Sequence, residues 1–192
     1  MSKIIKARYK AIAVIVAVAI LTLIAAVWYK NNVYPFRYSE KIYEENKEHL
    51  DNIVDYFESF DDIDSAQMNT NGTTEIVSMK GSEQLSCSSD NGYKSLQFLR
   101  EKYIKDSNKR YDSQSYMLNF IKAEYDDNGK MLLEIPVYAR ILNTDASVDS
   151  PNRIVYYLVY VDDNYSGSDT LYIKKAPINN NWFVISMNHT SG

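Results

Sequence analysis

The hydrophobic pattern has three regimes along the chain. From 11 to 29 (AIAVIVAVAILTLIAAVWY) Thr22 is the only clearly polar residue, and there is no charge, proline or glycine. At ~1.5 Å rise per residue such a run spans roughly 28 Å as a helix, close to the thickness of a bilayer's hydrocarbon core. From 39 to 60 the apolar residues Ile42, Tyr43, Leu50, Ile53, Val54, Phe57 and Phe60 recur at three- and four-residue steps. That spacing predicts one long helix with Glu44, Glu45, Lys47, Glu48 and Asp51 on its wet face. Ser39 suits its N-cap, and Asp61, Asp62 and Asp64 end it as a solvated exit. A shorter helix over 93–105 carries Leu96, Leu99, Tyr103 and Ile104 on one face. Between the run and the long helix, residues 30–38 read as a tether, because Pro35 biases Tyr34 away from helix. Residues 65–92 show one short strand, 73–79, after the turn signal Asn71-Gly72, and a loop over 86–92.

The last third alternates with period two, as strands do. A strand over 115–125 leads through Asp126-Asp127-Asn128-Gly129, a tight turn, into a strand over 131–142. Ile135, Val137, Ala139 and Ile141 face one way in it; Glu134, Pro136, Tyr138 and Arg140 face the other. Pro136 removes a ladder donor, which places the strand at an edge or gives it a bulge. Residues 153–161 (RIVYYLVYV) are apolar on both faces and read as a central strand; 162–169 is a polar turn. Strands over 170–175 and 182–187 close the chain, with a turn at 178–181 between them. Consecutive strands joined by hairpins pair antiparallel, so the fold class is α+β: a curved antiparallel sheet with the long helix in its concave face.

Charge gives these elements sides. Lys3, Lys6, Arg8 and Lys10 precede the apolar run, and all 25 acids follow it, leaving residues 30–192 with a net charge of −8. By the positive-inside rule residues 1–10 are a cytoplasmic basic tail, 11–29 a single-pass transmembrane anchor in the cell membrane, and 39–192 an extracytoplasmic domain. Trp28 and Tyr29 suit the outer interface. The competing reading is a cleaved signal peptide, for which Ala17-Val18-Ala19 and Ile24-Ala25-Ala26 are passable sites; the run exceeds the usual ~7–15 apolar residues. An acidic domain without a basic stretch argues against nucleic acid as a partner. Cys87 is the single cysteine, so no intrachain disulfide supports the fold, and a cysteine-poor outer domain fits a bacterial source.

Candidate chemistry is sparse. His49 sits on the wet helix face and His189 near the C-terminus; neither has a sequence neighbour suggesting a nucleophilic dyad. Cys87 lies in a serine-rich loop, where a free thiol without function is the ordinary case. Two histidines and one cysteine assemble no common zinc arrangement without several carboxylates. The acids at 126–129 mimic a calcium loop, but its twelfth position is Ile135 and the required glutamate is missing. No catalytic residue, metal or cofactor is implied. Glu134, Tyr138 and Arg140, sharing one strand face, are the candidates for binding a polar ligand if that face lines a cavity. Tyr156, Tyr157 and Tyr160 are candidate pocket walls or ordinary core.

The element order and the closing NNNWFVISM resemble the NTF2-like (cystatin-like roll) superfamily over about 39–187. A basic tail, one anchor and such an outer domain also look like the layout of VirB8-type components of type IV secretion and conjugation machines. That resemblance implies a structural role through contacts with other envelope proteins, and carries no site residues. The stretch 34–42 (YPFRYSEKI) is similar to the segment that follows the anchor in some membrane-anchored lytic transglycosylases. Those enzymes need a Glu-Ser pair at a helix end, and Glu58-Ser59 comes too early, with no glycine-rich segment after it. Three functions are therefore expected, in this order: a membrane-anchored assembly module, a small-ligand-binding or sensory domain, and a hydrolase or isomerase with a carboxylate base in the roll's cavity.

Overall fold

The computed structural model describes residues 3–104, 118–142, 153–166 and 174–189. The chain forms two compact units, Met1–Arg37 and Tyr38–Gly192. In the first, α1 (Lys3–Asn32) is one unbroken helix, and its segment Ile12–Asn32, 21 residues, is long and apolar enough to cross a membrane. Ile12, Leu21 and Trp28 are more than half exposed, so the helix is apolar all round and buries none of that surface within the chain. A helix of this kind is a membrane span or needs a partner. The hydroxyl at its middle is satisfied internally, Thr22 Oγ1 donating to the Val18 carbonyl at 2.9 Å.

The stretch expected as a tether is helical. Only Val33 interrupts the winding before α2 (Tyr34–Glu45) begins. Pro35 does not oppose this: it stands in the first turn, where its missing N–H costs no helical bond. Ser39, expected as a cap, lies inside α2 and is fully buried.

The expected long helix is two helices, α2 and α3 (Lys47–Glu58), parted at Asn46. Asn46 occupies the buried stripe between Ile42 and Leu50 and is itself buried. Its backbone leaves the helical region at φ −141°, and its N–H bonds to the Tyr43 carbonyl instead of that of Ile42. The side-chain Nδ2 takes the Ile42 carbonyl at 2.5 Å in place of that N–H. The same Nδ2 donates to Tyr103 Oη at 2.8 Å, and Lys102 Nζ donates to Asn46 Oδ1 at 2.8 Å. A polar residue inside an apolar stripe is thus the joint between two helices and an anchor for α4 (Asn91–Tyr103).

Among the described residues eight strands make one antiparallel sheet: β1 (Ser65–Asn69), β2 (Thr73–Ser78), β3 (Gly81–Ser86), β4 (Phe120–Tyr125), β5 (Met131–Ile141), β6 (Arg153–Val161), β7 (Lys174–Pro177) and β8 (Trp182–His189), in spatial order β3-β2-β1-β4-β5-β6-β8-β7. The α+β class is as expected, with β6 interior and apolar on both faces. β1 and β3 are additions: too polar to read as strands, they are held by pairing with β2 and β4. The expected strand 115–125 starts at Phe120, after Leu118 turns at φ +52°, and its residues 115–117 lie outside the described ones. The expected strand 170–175 is β7, beginning at Lys174, with 170–173 outside the described residues.

The second unit's core lies between α3, α4 and one sheet face. Ile53, Phe57, Leu96 and Leu99 of the helices and Met68, Ile121, Leu133 and Ile135 of the strands are all fully buried. Tyrosines tie the layers: Tyr56 Oη to Thr74 Oγ1 at 2.7 Å, Tyr125 Oη to the Phe57 carbonyl at 2.7 Å, and Tyr160 Oη to Glu58 at 3.3 Å. Burial pushes the Tyr56 hydroxyl up to about 12 and raises Tyr125 and Tyr160 as well, so all three stay protonated at ordinary pH.

The two helices approach closely at Gly92, where an added Cβ would lie 2.6 Å from Tyr56 Cβ. Gly92→Ala is expected to destabilise the protein by about 1–3 kcal/mol, the usual cost of overpacking. Lys94→Ala, exposed on the same helix, should change it by less than about 0.5 kcal/mol. Urea denaturation of the two variants checks this.

Candidate functional site

A β-bulge in β5 decides where the sequence-derived candidates go. Pro136 pairs with Tyr157 and Tyr138 with Tyr156, so Val137 is the extra residue. The phase of alternation flips across it. Leu133, Ile135, Tyr138 and Arg140 share the helix-facing side; Leu132, Glu134, Pro136 and Ala139 share the other. The expectation that Glu134, Tyr138 and Arg140 share a face is therefore corrected: the bulge sends Glu134 to the opposite side. Pro136 explains the bulge, since it has no N–H to give an interior strand, and its carbonyl accepts from Leu118 N at 2.7 Å.

Tyr138 packs in a tyrosine cluster, 5.8 Å from the Tyr38 ring and 5.7 Å from Tyr156. Tyr38 also meets Tyr103 at 6.3 Å, and Tyr103 Oη donates to Glu45 at 2.9 Å, holding that carboxyl below its usual range. Glu134 is buried beside Lys122, its cross-strand partner, on the face where Leu132, Ala139, Val155, Tyr157, Val159 and Ile185 form a second apolar cluster. The three expected pocket tyrosines are divided in the same way. Tyr156 and Tyr160 face the helices, and Tyr157 faces the second cluster.

Both histidines are more engaged than the sequence suggests. His49 is half-buried, stacked on Phe98 with centroids 3.9 Å apart, and its Nδ1 lies 3.2 Å from Ser95 Oγ. Asn52 Nδ2 donates to the same Oγ at 3.3 Å. This serine–histidine pair is no nucleophilic site. Ser95 is 3% exposed in the middle of α4, and the bonds join α3 to α4. His189 belongs to β8 and not to a loose tail; its Nε2 meets Tyr157 Oη at 3.0 Å, and burial lowers its pKa, with Arg153 adding to the shift. Cys87 is wholly buried.

The candidate site is one the sequence did not assemble. The acids after α3 and those of the β4–β5 turn, some 60 residues apart in the chain, line a single cleft of about 460 Å³. Asp61, Asp62, Asp64 and Asp127 border it with Met79 and Tyr125. Backbone bonds bring the segments together: Asp64 N donates to the Val77 carbonyl at 2.8 Å and Tyr125 N to the Asp64 carbonyl at 3.0 Å. Asp62 turns the chain at φ +59°, a conformation that Asp and Asn tolerate better than most residues.

Asp126, also on the cleft, is a structural acid. Its Oδ1 accepts from Asn128 N and Lys130 N at 2.9 Å, and its Oδ2 from Ser166 N and Oγ at 2.8 Å. Desolvation raises its pKa, but the bonds from Ser166, Lys130 and Asn128 outweigh it and bring the carboxyl down to about 2. The turn is a hairpin turn, as expected, with Gly129 at φ +71°. Asp61, Asp62 and Asp127 are exposed, and can meet cationic groups in the cleft. Among the described residues no group of three or more His, Cys, Asp or Glu is arranged to hold a metal ion.

Comparison with known proteins gives no match, whether to family models, to curated proteins or to solved structures.

Asp126 ionises more readily folded than unfolded, where its value is near 3.8. Its bonds therefore stabilise the chain above about pH 4, and the contribution disappears as pH falls toward 2. Asp126→Asn is expected to be less stable than wild type at pH 7 and to show a flatter loss of stability between about pH 4 and 2. Urea midpoints across that range test it, and parallel wild-type and variant curves would contradict it.

Proposed function

We propose that the chain is a membrane-anchored interaction module, its basic tail in the cytoplasm and its α+β domain outside, where it holds other envelope proteins in an assembly. The observation that carries this reading is the joining of a span-length apolar helix to an acidic domain in which Asp61, Asp62, Asp64 and Asp127 line one open cleft. The anchor confines the domain to the membrane surface, and the cleft offers charge that selects cationic partners and speeds their encounter. In this reading the domain is an NTF2-like roll. Helices before and beside a meander of antiparallel strands support that, and the layout is that of VirB8-type components of secretion and conjugation machines.

The test is formaldehyde crosslinking of the full-length protein in its own membranes, against a variant carrying Asp61→Asn, Asp62→Asn and Asp127→Asn. Asparagine keeps the shape of each side chain and suits the positive φ at residue 62. Wild type is expected to capture a discrete set of envelope proteins. The variant should capture about tenfold less, since each exposed charge pair is worth ~0.2–1 kcal/mol. Absence of any captured envelope protein, or full capture by the variant, would contradict the proposal.

A further inference from the structure

Strand β3 ends the sheet, bonded to β2 along its whole length, and all of its residues are exposed. Its ladder phase is readable. Cys87 N donates to the Gly72 carbonyl at 2.9 Å, one pair beyond Thr73 and Ser86. In an antiparallel ladder bonded and non-bonded pairs alternate. Gly81, Glu83 and Leu85 therefore turn their N–H and C=O groups toward β2, and Ser82, Gln84 and Ser86 turn theirs outward. Among the described residues no strand lies beyond that edge.

Natural edges are usually blunted by proline, lysine, a bulge or short length. The opposite edge, β7, has four residues and ends on Pro177. β3 is longer and contains neither proline nor lysine, and its register with β2 runs without a shift. Its surroundings are acidic on balance: Glu83 on the strand, Glu75 across from Gln84, and Asp61, Asp62 and Asp64 on the cleft that Met79 of the β2–β3 turn borders, with the cation of Lys80, in that turn, 3.8 Å from Asp62. Val77, Leu85 and Met79 add exposed apolar surface. A second copy's β3 would bring these acids against their own likeness, so the charge selects a cationic occupant.

We infer that the outer edge of β3 takes up an extended, lysine- or arginine-bearing segment of a partner protein as a further strand of the sheet. This rests on the interaction-module reading and specifies how the module holds its partner. Main-chain bonds to Ser82, Gln84 and Ser86 supply the affinity, and alternate cationic side chains meet the acids.

The probe is the alternating peptide Thr-Lys-Val-Lys-Val-Lys-Thr, with Thr-Glu-Val-Glu-Val-Glu-Thr as its charge reversal, added to the full-length protein in detergent micelles. Backbone amide exchange is followed residue by residue. The lysine peptide is expected to slow Ser82, Gln84 and Ser86 by about tenfold or more and to leave the already paired Gly81, Glu83 and Leu85 unchanged. The glutamate peptide should leave all of them unchanged. Gln84→Pro removes an outward N–H without touching the β2 ladder, and should weaken the lysine peptide about tenfold. A lysine peptide methylated on its backbone nitrogens should lose binding to the wild type, which keeps the inference testable if Gln84→Pro does not fold. No slowing, equal slowing by both peptides, or slowing confined to 61–64 and 126–129 would overturn it. A Gln84→Pro protein that still captures its envelope partners overturns the strand edge and leaves the interaction reading standing. A wild-type protein that captures none overturns that reading and the inference with it.

Discussion

Burying one face of the sheet under α3 and α4 is the constraint from which the rest of the second unit follows. Fully burying a leucine, isoleucine or phenylalanine is worth ~1.5–3 kcal/mol, whereas a typical internal hydrogen bond nets ~0.5–1.5 kcal/mol. Ile53, Phe57, Leu96, Leu99, Leu133 and Ile135 therefore provide the drive, and the polar ties choose the arrangement. Tyr56, Tyr125 and Tyr160 fix how α3 lies on the strands, and the buried Asn46 fixes where α2 gives way to α3 and where α4 docks. Asn46 is buried, and there an unpaired polar atom would cost more than a made bond gains. Loss of the apolar layer would free all of these ties.

The apolar span, α4, the turn at Asp126–Gly129 and the two-faced β6 are legible in the sequence because each follows from a local rule. A long uncharged run, a 3.6-residue stripe, an aspartate-glycine turn and an all-apolar strand need no distant partner to be recognised. The helix break at Asn46 was available too, as the one polar residue inside the stripe, but its meaning depends on Tyr103 and Lys102 in α4. β1 and β3 are polar segments made into strands by their neighbours, which no local period announces. The candidate site failed at one residue. Pro136 announces an edge or a bulge, yet only the pairing with β6 reveals that Val137 is the extra residue, and that single insertion separates Glu134 from Tyr138 and Arg140. The acidic cleft is wholly non-local: two clusters that read separately as a helix exit and a hairpin turn are joined by backbone bonds at Asp64.

A membrane anchor changes what a modest binding surface can accomplish. Confinement to one surface raises the effective concentration of partners that share it, so weak contacts act together. A charged cleft and an open strand edge suit such a setting. Charge steers and selects, while main-chain pairing tolerates variation in the partner's side chains. The two features meet at the β2–β3 turn, where Met79 borders the cleft and leads into β3.

The central claim is that the span holds the domain on the outer side of the membrane, and sided thiol labelling tests it most directly. Cys87 is wholly buried, so Cys87→Ala removes the one native thiol at little surface cost, and Met79, 97% exposed, offers a position for a reporter. In that background, Met79→Cys should react with a membrane-impermeant maleimide in intact cells, while Ser2→Cys should react only after the membrane is opened. Labelling of Ser2→Cys in intact cells with Met79→Cys protected, or release of the Met79→Cys protein into the medium, would contradict the account.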